Sequence, residues 1–96
     1  MDRNYELMFA LVPTLDEEAL KQAVESIEAL VSSNATITSS EAVGKQRLAY
    51  EINDYKEAYY HVVKFQTAKI EHPKEIDRLL KINESVLRFI IVRQDK

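Results

Sequence analysis

Gly44-Lys45-Gln46-Arg47-Leu48-Ala49-Tyr50-Glu51-Ile52, followed by Ala58-Tyr59-Tyr60-His61-Val62-Val63-Lys64-Phe65, reads as a pair of antiparallel strands. Side chains alternate across a strand, so Leu48, Tyr50 and Ile52 share one side while Arg47, Ala49 and Glu51 share the other. In the second strand Tyr59, His61, Val63 and Phe65 line one face, and Tyr60, Val62, Lys64 and Gln66 line the opposite one. Apolar and aromatic groups therefore occur on both faces. A sheet covered on one side only would not need them.

The flanking sequence supplies the rest of the sheet and its helices. Tyr5 to Val12 alternates Tyr5, Leu7, Phe9 and Leu11 against Glu6, Met8, Ala10 and Val12, and Pro13, which lacks an amide donor, ends this first strand. Thr14 followed three residues on by Glu17 has the form of a capping box, which predicts a helix starting there. Leu20, Val24, Ile27 and Val31, supported by Ala23 and Leu30, recur at helical spacing, and Ser32-Ser33-Asn34 ends the helix. Ala35 to Val43, rich in Thr, Ile and Ser, is a second strand that bends or bulges at Gly44 and resumes through Asn53. Asn53-Asp54-Tyr55-Lys56-Glu57 is expected to form the connecting loop, and the third strand continues to about Ala68. His72-Pro73 opens a second helix with Ile76, Leu79 and Leu80 facing inward, closed by Asn83-Glu84. Val86 to Val92 is a final, almost wholly apolar strand interrupted by Arg88.

The order β-α-β-β-α-β, with right-handed crossovers, predicts an α+β ferredoxin-like sandwich: a four-stranded antiparallel sheet with both helices on one face, residues 1–96 forming one domain. Leu7, Phe9, Leu11, Leu48, Ile52, Val63, Phe65, Phe89 and Ile91 are expected to meet the helices as the core. A chain of 96 residues, 46% of them hydrophobic, can bury such a core but has little area left for a deep active-site cleft.

Composition narrows the function further. The absence of cysteine excludes disulfides and thiolate metal sites, and two histidines do not make a metal site by themselves. No stretch approaches the ~20 apolar residues of a membrane span, and Met1-Asp2-Arg3-Asn4-Tyr5 lacks the basic and apolar regions of a secretion signal, so a soluble, cytoplasmic protein is expected. A net charge of -3 argues against gripping nucleic acid by bulk electrostatics, so that any RNA contact is local or shared with a partner.

With both helices on one side, the other side of the sheet would present Met8, Ala10, Tyr60, Val62, Ile90 and Val92, framed by Glu6, Arg47, Lys64 and Arg88. An apolar strip with aromatic and Met side chains inside a charged border has the anatomy of a docking surface. Long Lys and Arg side chains folded over the strip are the alternative cover.

Gly44-Lys45-Gln46-Arg47-Leu48-Ala49-Tyr50-Glu51-Ile52 with Tyr59-Tyr60, the Tyr5-Glu6 strand ending in Pro13, and Asn83-Glu84-Ser85-Val86-Leu87-Arg88 together resemble the bacterial small-subunit ribosomal protein S-six family over nearly the whole chain. The resemblance implies a non-catalytic, ribosome-associated protein without cofactors. It would bind the central domain of small-subunit ribosomal RNA as a heterodimer with ribosomal protein S-eighteen. A basic partner would then supply much of the phosphate neutralisation that an acidic chain does not. The RNA contacts are expected at Arg3, Lys45, Arg47, Lys56, Arg88 and Arg93, and the partner contacts at Met8, Tyr60, Val62, Lys64, Ile90 and Val92. The family frequently has two basic residues before Leu-Ala-Tyr; here the first is Gln46, which removes one phosphate contact. The sequence stops soon after its last strand, so a role for the longer tails of some relatives is not expected.

The remaining polar residues read as structural. His61 shares a strand face with Val63 and Phe65 and is expected to be a satisfied inward histidine, His72 to be a helix cap, and Arg88 to pair with Glu6 or a partner. Asp16, Glu17 and Glu18 sit where a helix N-terminus favours carboxylates. The alternative function, a small ferredoxin-like enzyme of the acylphosphatase type, rests on fold alone. The loop Val12-Pro13-Thr14-Leu15 speaks against it, having neither an arginine nor a glycine-rich phosphate cradle. A metal-carrying domain of the same fold would need a cysteine pair.

Overall fold

Alternation in β1 (Arg3–Leu11) divides the molecule into two faces. The computed structural model describes residues 3–52, 54–69 and 71–94, and in it β1 lies between β3 (Tyr55–Thr67) and β4 (Val86–Arg93), with β2 (Thr36–Ile52) beyond β3. The order β2-β3-β1-β4 with every pair antiparallel is the expected βαββαβ topology. Helices α1 (Glu17–Ser32) and α2 (His72–Lys81) cover one face. Tyr5, Leu7, Phe9, Leu11, Val63 and Phe65 meet Ile27, Val31, Ile76 and Leu80 there as one buried cluster. Each such large side chain stabilises the fold by about 1.5–3 kcal/mol. Phe89 and Ile91 pack against this cluster as expected.

Leu48 and Ile52 do not. They join Ala10, Ala58, Tyr60 and Leu87 in a second, smaller cluster, separate from the core beneath the helices. Alternation put Leu48, Tyr50 and Ile52 on one side; Leu48 is buried and Ile52 half-buried among the protein's own strands, while Tyr50 between them is exposed.

Strand β2 is also less regular than alternation implies. Its register against β3 slips between Ile37 and Ser39 and again between Ala42 and Gly44, where Gly44 takes φ 100. That conformation suits glycine, and the slip is the bulge expected at this position. A third slip lies between the pairs Arg47–Glu57 and Ile52–Tyr55, where Leu48, Ala49, Tyr50 and Glu51 oppose Lys56 alone. The hairpin turn is correspondingly tight. β3 begins at Tyr55 rather than after a loop to Glu57, and Asp54 carries φ 69, which Asp tolerates better than most residues. Asn53, part of the expected loop, lies outside the described residues.

The helix ends correct two further expectations. Asp16, not Thr14, caps α1: its carboxylate accepts the Ala19 amide at 2.7 Å, and Glu17 and Glu18 occupy the first turn. His72 is the first residue of α2 and is only 3% exposed. Its Nε2–H donates to the Val31 carbonyl at 2.7 Å, and its ring stands edge-on to Phe65. The last carbonyls of a helix lack intrahelical donors. In α1 those of Ala29, Leu30 and Val31 receive Ser32 Oγ, Ser33 Oγ and His72 respectively. His72 is thus a tie between the two helices rather than a cap of its own.

Candidate partner and nucleic-acid interface

The strand register lays out the face away from the helices row by row. Glu6 sits between Lys64 and Val92, Met8 between Val62 and Ile90, and Ala10 between Tyr60 and Arg88. On β2, Ser39, Glu41 and Gly44 extend the same rows beyond Lys64, Val62 and Tyr60. The central row Val62-Met8-Ile90 is therefore apolar across three strands. Val92 flanks it on one side, Tyr60 and Ala10 on the other. Both helices pack on the opposite face, and these residues stay accessible: Ile90 is 56% and Val92 41% exposed, and Met8, Tyr60 and Val62 are half-buried. Ala10 is fully buried, and Tyr60 is partly covered by the Leu48 cluster, so the accessible strip is centred on Val62, Met8, Ile90 and Val92.

The border differs from expectation in one pair. Glu6 faces Lys64 at 4.0 Å rather than Arg88, because Val92 stands opposite Glu6 on β4 and Arg88 lies four residues before it, opposite Ala10. Arg88 is exposed and has no ion-pair partner among the described residues.

The six expected RNA-contacting cations do not form one patch. Arg3 and Arg93 stand where β1 begins and β4 ends, whereas Lys45, Arg47, Lys56 and Arg88 lie toward the β2–β3 hairpin. Lys45 pairs with Glu57 at 3.6 Å and lies over the Tyr59 ring, and Lys56 approaches Glu51 at 4.0 Å. Exposed pairs of this kind are worth little for stability. They do cancel the local acidic charge.

On the helix side, His61 is buried beside Phe9. Its Nε2 lies 2.8 Å from Ser40 Oγ, which in turn donates to Glu28 on α1, the Glu28 carboxylate standing 4.0 Å from the imidazole. Burial holds the imidazole below its ordinary pKa, and the opposing pull of Glu28 does not overcome it. The group is a neutral, hydrogen-bonded link between α1, β2 and β3. The sequence identified His61 as inward but gave no sign of Ser40 and Glu28, which lie 21 and 33 positions away.

Comparison with known proteins follows the same outline. The sequence matches the family Ribosomal protein S6 over residues 4–93. The chain belongs to that family. A crystal structure of 30S ribosomal protein S6 from Thermotoga maritima superposes with a TM-score of 0.91 at 25% identity, covering 98% of this chain and 89% of that one. The S6 fold is thus present throughout, including the strand order that leaves one sheet face without helices. A second structure, a putative amidohydrolase/peptidase from Burkholderia cenocepacia, reaches a TM-score of only 0.40 at 18% identity, covers 98% of this chain and 27% of that one, and carries no weight. Membership of the S6 family supports a structural role in the ribosome. Among the described residues, no group of three or more His, Cys, Asp or Glu side chains converges on a metal position, and no helix is long and apolar enough to cross a membrane.

Proposed function

We propose that this chain is a structural, non-catalytic constituent of the bacterial small ribosomal subunit. It binds the central domain of the subunit's RNA together with ribosomal protein S-eighteen. The observation that carries the partner half of the reading is the row Val62-Met8-Ile90 with Val92, apolar across three strands and left open by both helices. Lys64 and Glu6 border it on one side and Arg88 on the other, so a docked protein meets an apolar centre inside a charged rim.

The RNA half rests on family membership and on cations held at both ends of the sheet: Arg3 and Arg93 at one, Lys45, Arg47, Lys56 and Arg88 toward the other. Such spacing suits a few positioned phosphate contacts rather than a continuous basic groove. With a net charge of -3 the chain alone should bind RNA weakly, and a basic partner should raise the affinity. Filter binding to a transcript of the central domain tests this. Weak retention by the isolated chain and strong retention with the partner are expected; equally tight binding without the partner would count against the reading.

A further inference from the structure

The four-against-one bulge in β2 leaves an arch whose contents the partner strip does not use. Leu48, the first arch residue, turns into the small cluster with Ala10 and Ala58 and is buried, and Ile52, just past the arch, packs on the same cluster. Between these two anchors Tyr50 is thrown outward and is 77% exposed, the largest exposure of any large apolar or aromatic side chain in the described residues. Arg47, Leu48, Ala49, Tyr50, Glu51 and Lys56 line a shallow hollow of about 220 Å³ at this place. Bulges commonly serve to re-aim a side chain, and here the side chain re-aimed is an aromatic ring.

The charges around the ring are sorted as well. Glu57 is engaged by Lys45 and Glu51 by Lys56, whereas Arg47 is exposed and without an ion-pair partner among the described residues. Asp54 at the turn is exposed too, so the tip as a whole is close to neutral and cannot attract nucleic acid by charge alone. What it offers is a flat π-face beside one uncommitted guanidinium. A protein partner would call for apolar neighbours around the ring, and those within the arch are turned inward or small. An unpaired base needs only the ring face, with its phosphate reaching the guanidinium.

We propose that Tyr50 is a stacking platform for one unpaired nucleotide of RNA, with Arg47 contacting the adjacent phosphate. The inference rests on the RNA-binding reading above and names a contact within it. Because the arch is pinned at Leu48 and Ile52, the backbone that carries the ring is anchored before binding, and stacking has mainly the ring's own rotamers to order.

The test uses the full chain with its small basic partner and a transcript of the central domain of small-subunit RNA. Removing a stacking ring weakens binding by roughly 5- to 150-fold. Tyr50→Ala should therefore show a loss in that range, while Tyr50→Phe, which keeps the π-face, should stay within about twofold. Arg47→Ala should lower the salt slope by about one. Short-wavelength ultraviolet cross-linking followed by trypsin should place a nucleotide on Tyr50 within the peptide of residues 48–56. If the wild type binds the transcript and Tyr50→Ala binds it equally, the stacking assignment falls while the RNA-binding reading stands. If the wild-type pair does not bind the transcript, both fall. If Tyr50→Ala instead weakens binding to the partner protein without RNA, the ring is a protein contact and the assignment is overturned. Thermal unfolding of Tyr50→Ala should match the wild type, since so exposed a ring contributes little to the fold.

Discussion

Replacing Ile90 by Asp separates docking from folding. In the free protein Ile90 is 56% exposed at the edge of the sheet, so less than half of its burial is at stake on mutation, about 0.7–1.3 kcal/mol. With the low β-propensity of Asp added, the change should cost the isolated fold about 1–2 kcal/mol, which leaves it folded. In the complex two losses add. Fully burying an isoleucine is worth about 1.5–3 kcal/mol, and docking would bury roughly the half that is still exposed, about 0.8–1.7 kcal/mol. A carboxylate placed opposite Met8 would also be desolvated without a donor, at a cost of at least about 1–3 kcal/mol. The sum of about 2–5 kcal/mol corresponds to roughly 30- to 4,000-fold in Kd. Isothermal titration of the small basic partner into wild type and Ile90→Asp measures the difference, and urea unfolding of the free proteins supplies the control. Wild-type affinity in a folded Ile90→Asp protein would refute the docking face. Unfolding of the free variant would refute the placement of Ile90 outside the core.

Three further outcomes follow from the geometry. Asp16→Ala should destabilise by about 0.5–2 kcal/mol because the Ala19 amide loses its acceptor, whereas Thr14→Ala should change stability by no more than about 0.5 kcal/mol; denaturant midpoints decide between the two residues as the cap. His72→Phe fills the same space but leaves the Val31 carbonyl without its donor, and should cost about 1–3 kcal/mol by urea unfolding. His61 is held below its ordinary value of 6.5 in the folded state, so the unfolded chain takes up the proton first as pH falls. The stability this group contributes should be complete above pH 6.5 and decline as pH drops from there toward the folded-state value. His61→Gln should flatten that part of the pH–stability curve, and an unchanged slope would contradict the neutral, buried imidazole.

The element order was legible because each element is punctuated. Pro13, Gly44, the turn at Asp54 and Pro73 all fall where the chain changes direction or type, and the α1 stripe of Ile27 and Val31 lies on the core as its spacing required. What alternation could not supply was the identity of the cover. Leu48 and Ile52 repeat like core residues and are buried or half-buried, yet beneath strand residues rather than helices, because period two distinguishes sides without saying what lies on each. The arch at 48–51 was hidden for a related reason: a bulge of several residues leaves a sequence that still looks alternating. Thr14 and Glu17 matched a capping pattern, but Asp16 is closer to the first turn and presents a charged acceptor to the helix dipole. The apolar strip on the open face was readable from the parity of β1, β3 and β4, which pair without interruption over Met8, Val62 and Ile90. The cations proposed to contact RNA were readable only as residue types; their separation to the two ends of the sheet depends on register.

The most direct measurement is a methyl NMR titration of the protein with its small basic partner, following Met8, Val62, Ile90 and Val92 against Leu7, Ile27, Val31 and Ile76 beneath the helices. The open-face methyls should shift or broaden together as the partner is added while the helix-side methyls stay put. Perturbation confined to the helix surfaces, with the Val62-Met8-Ile90 row unmoved at saturation, would contradict a sheet whose second face exists to be covered by another molecule.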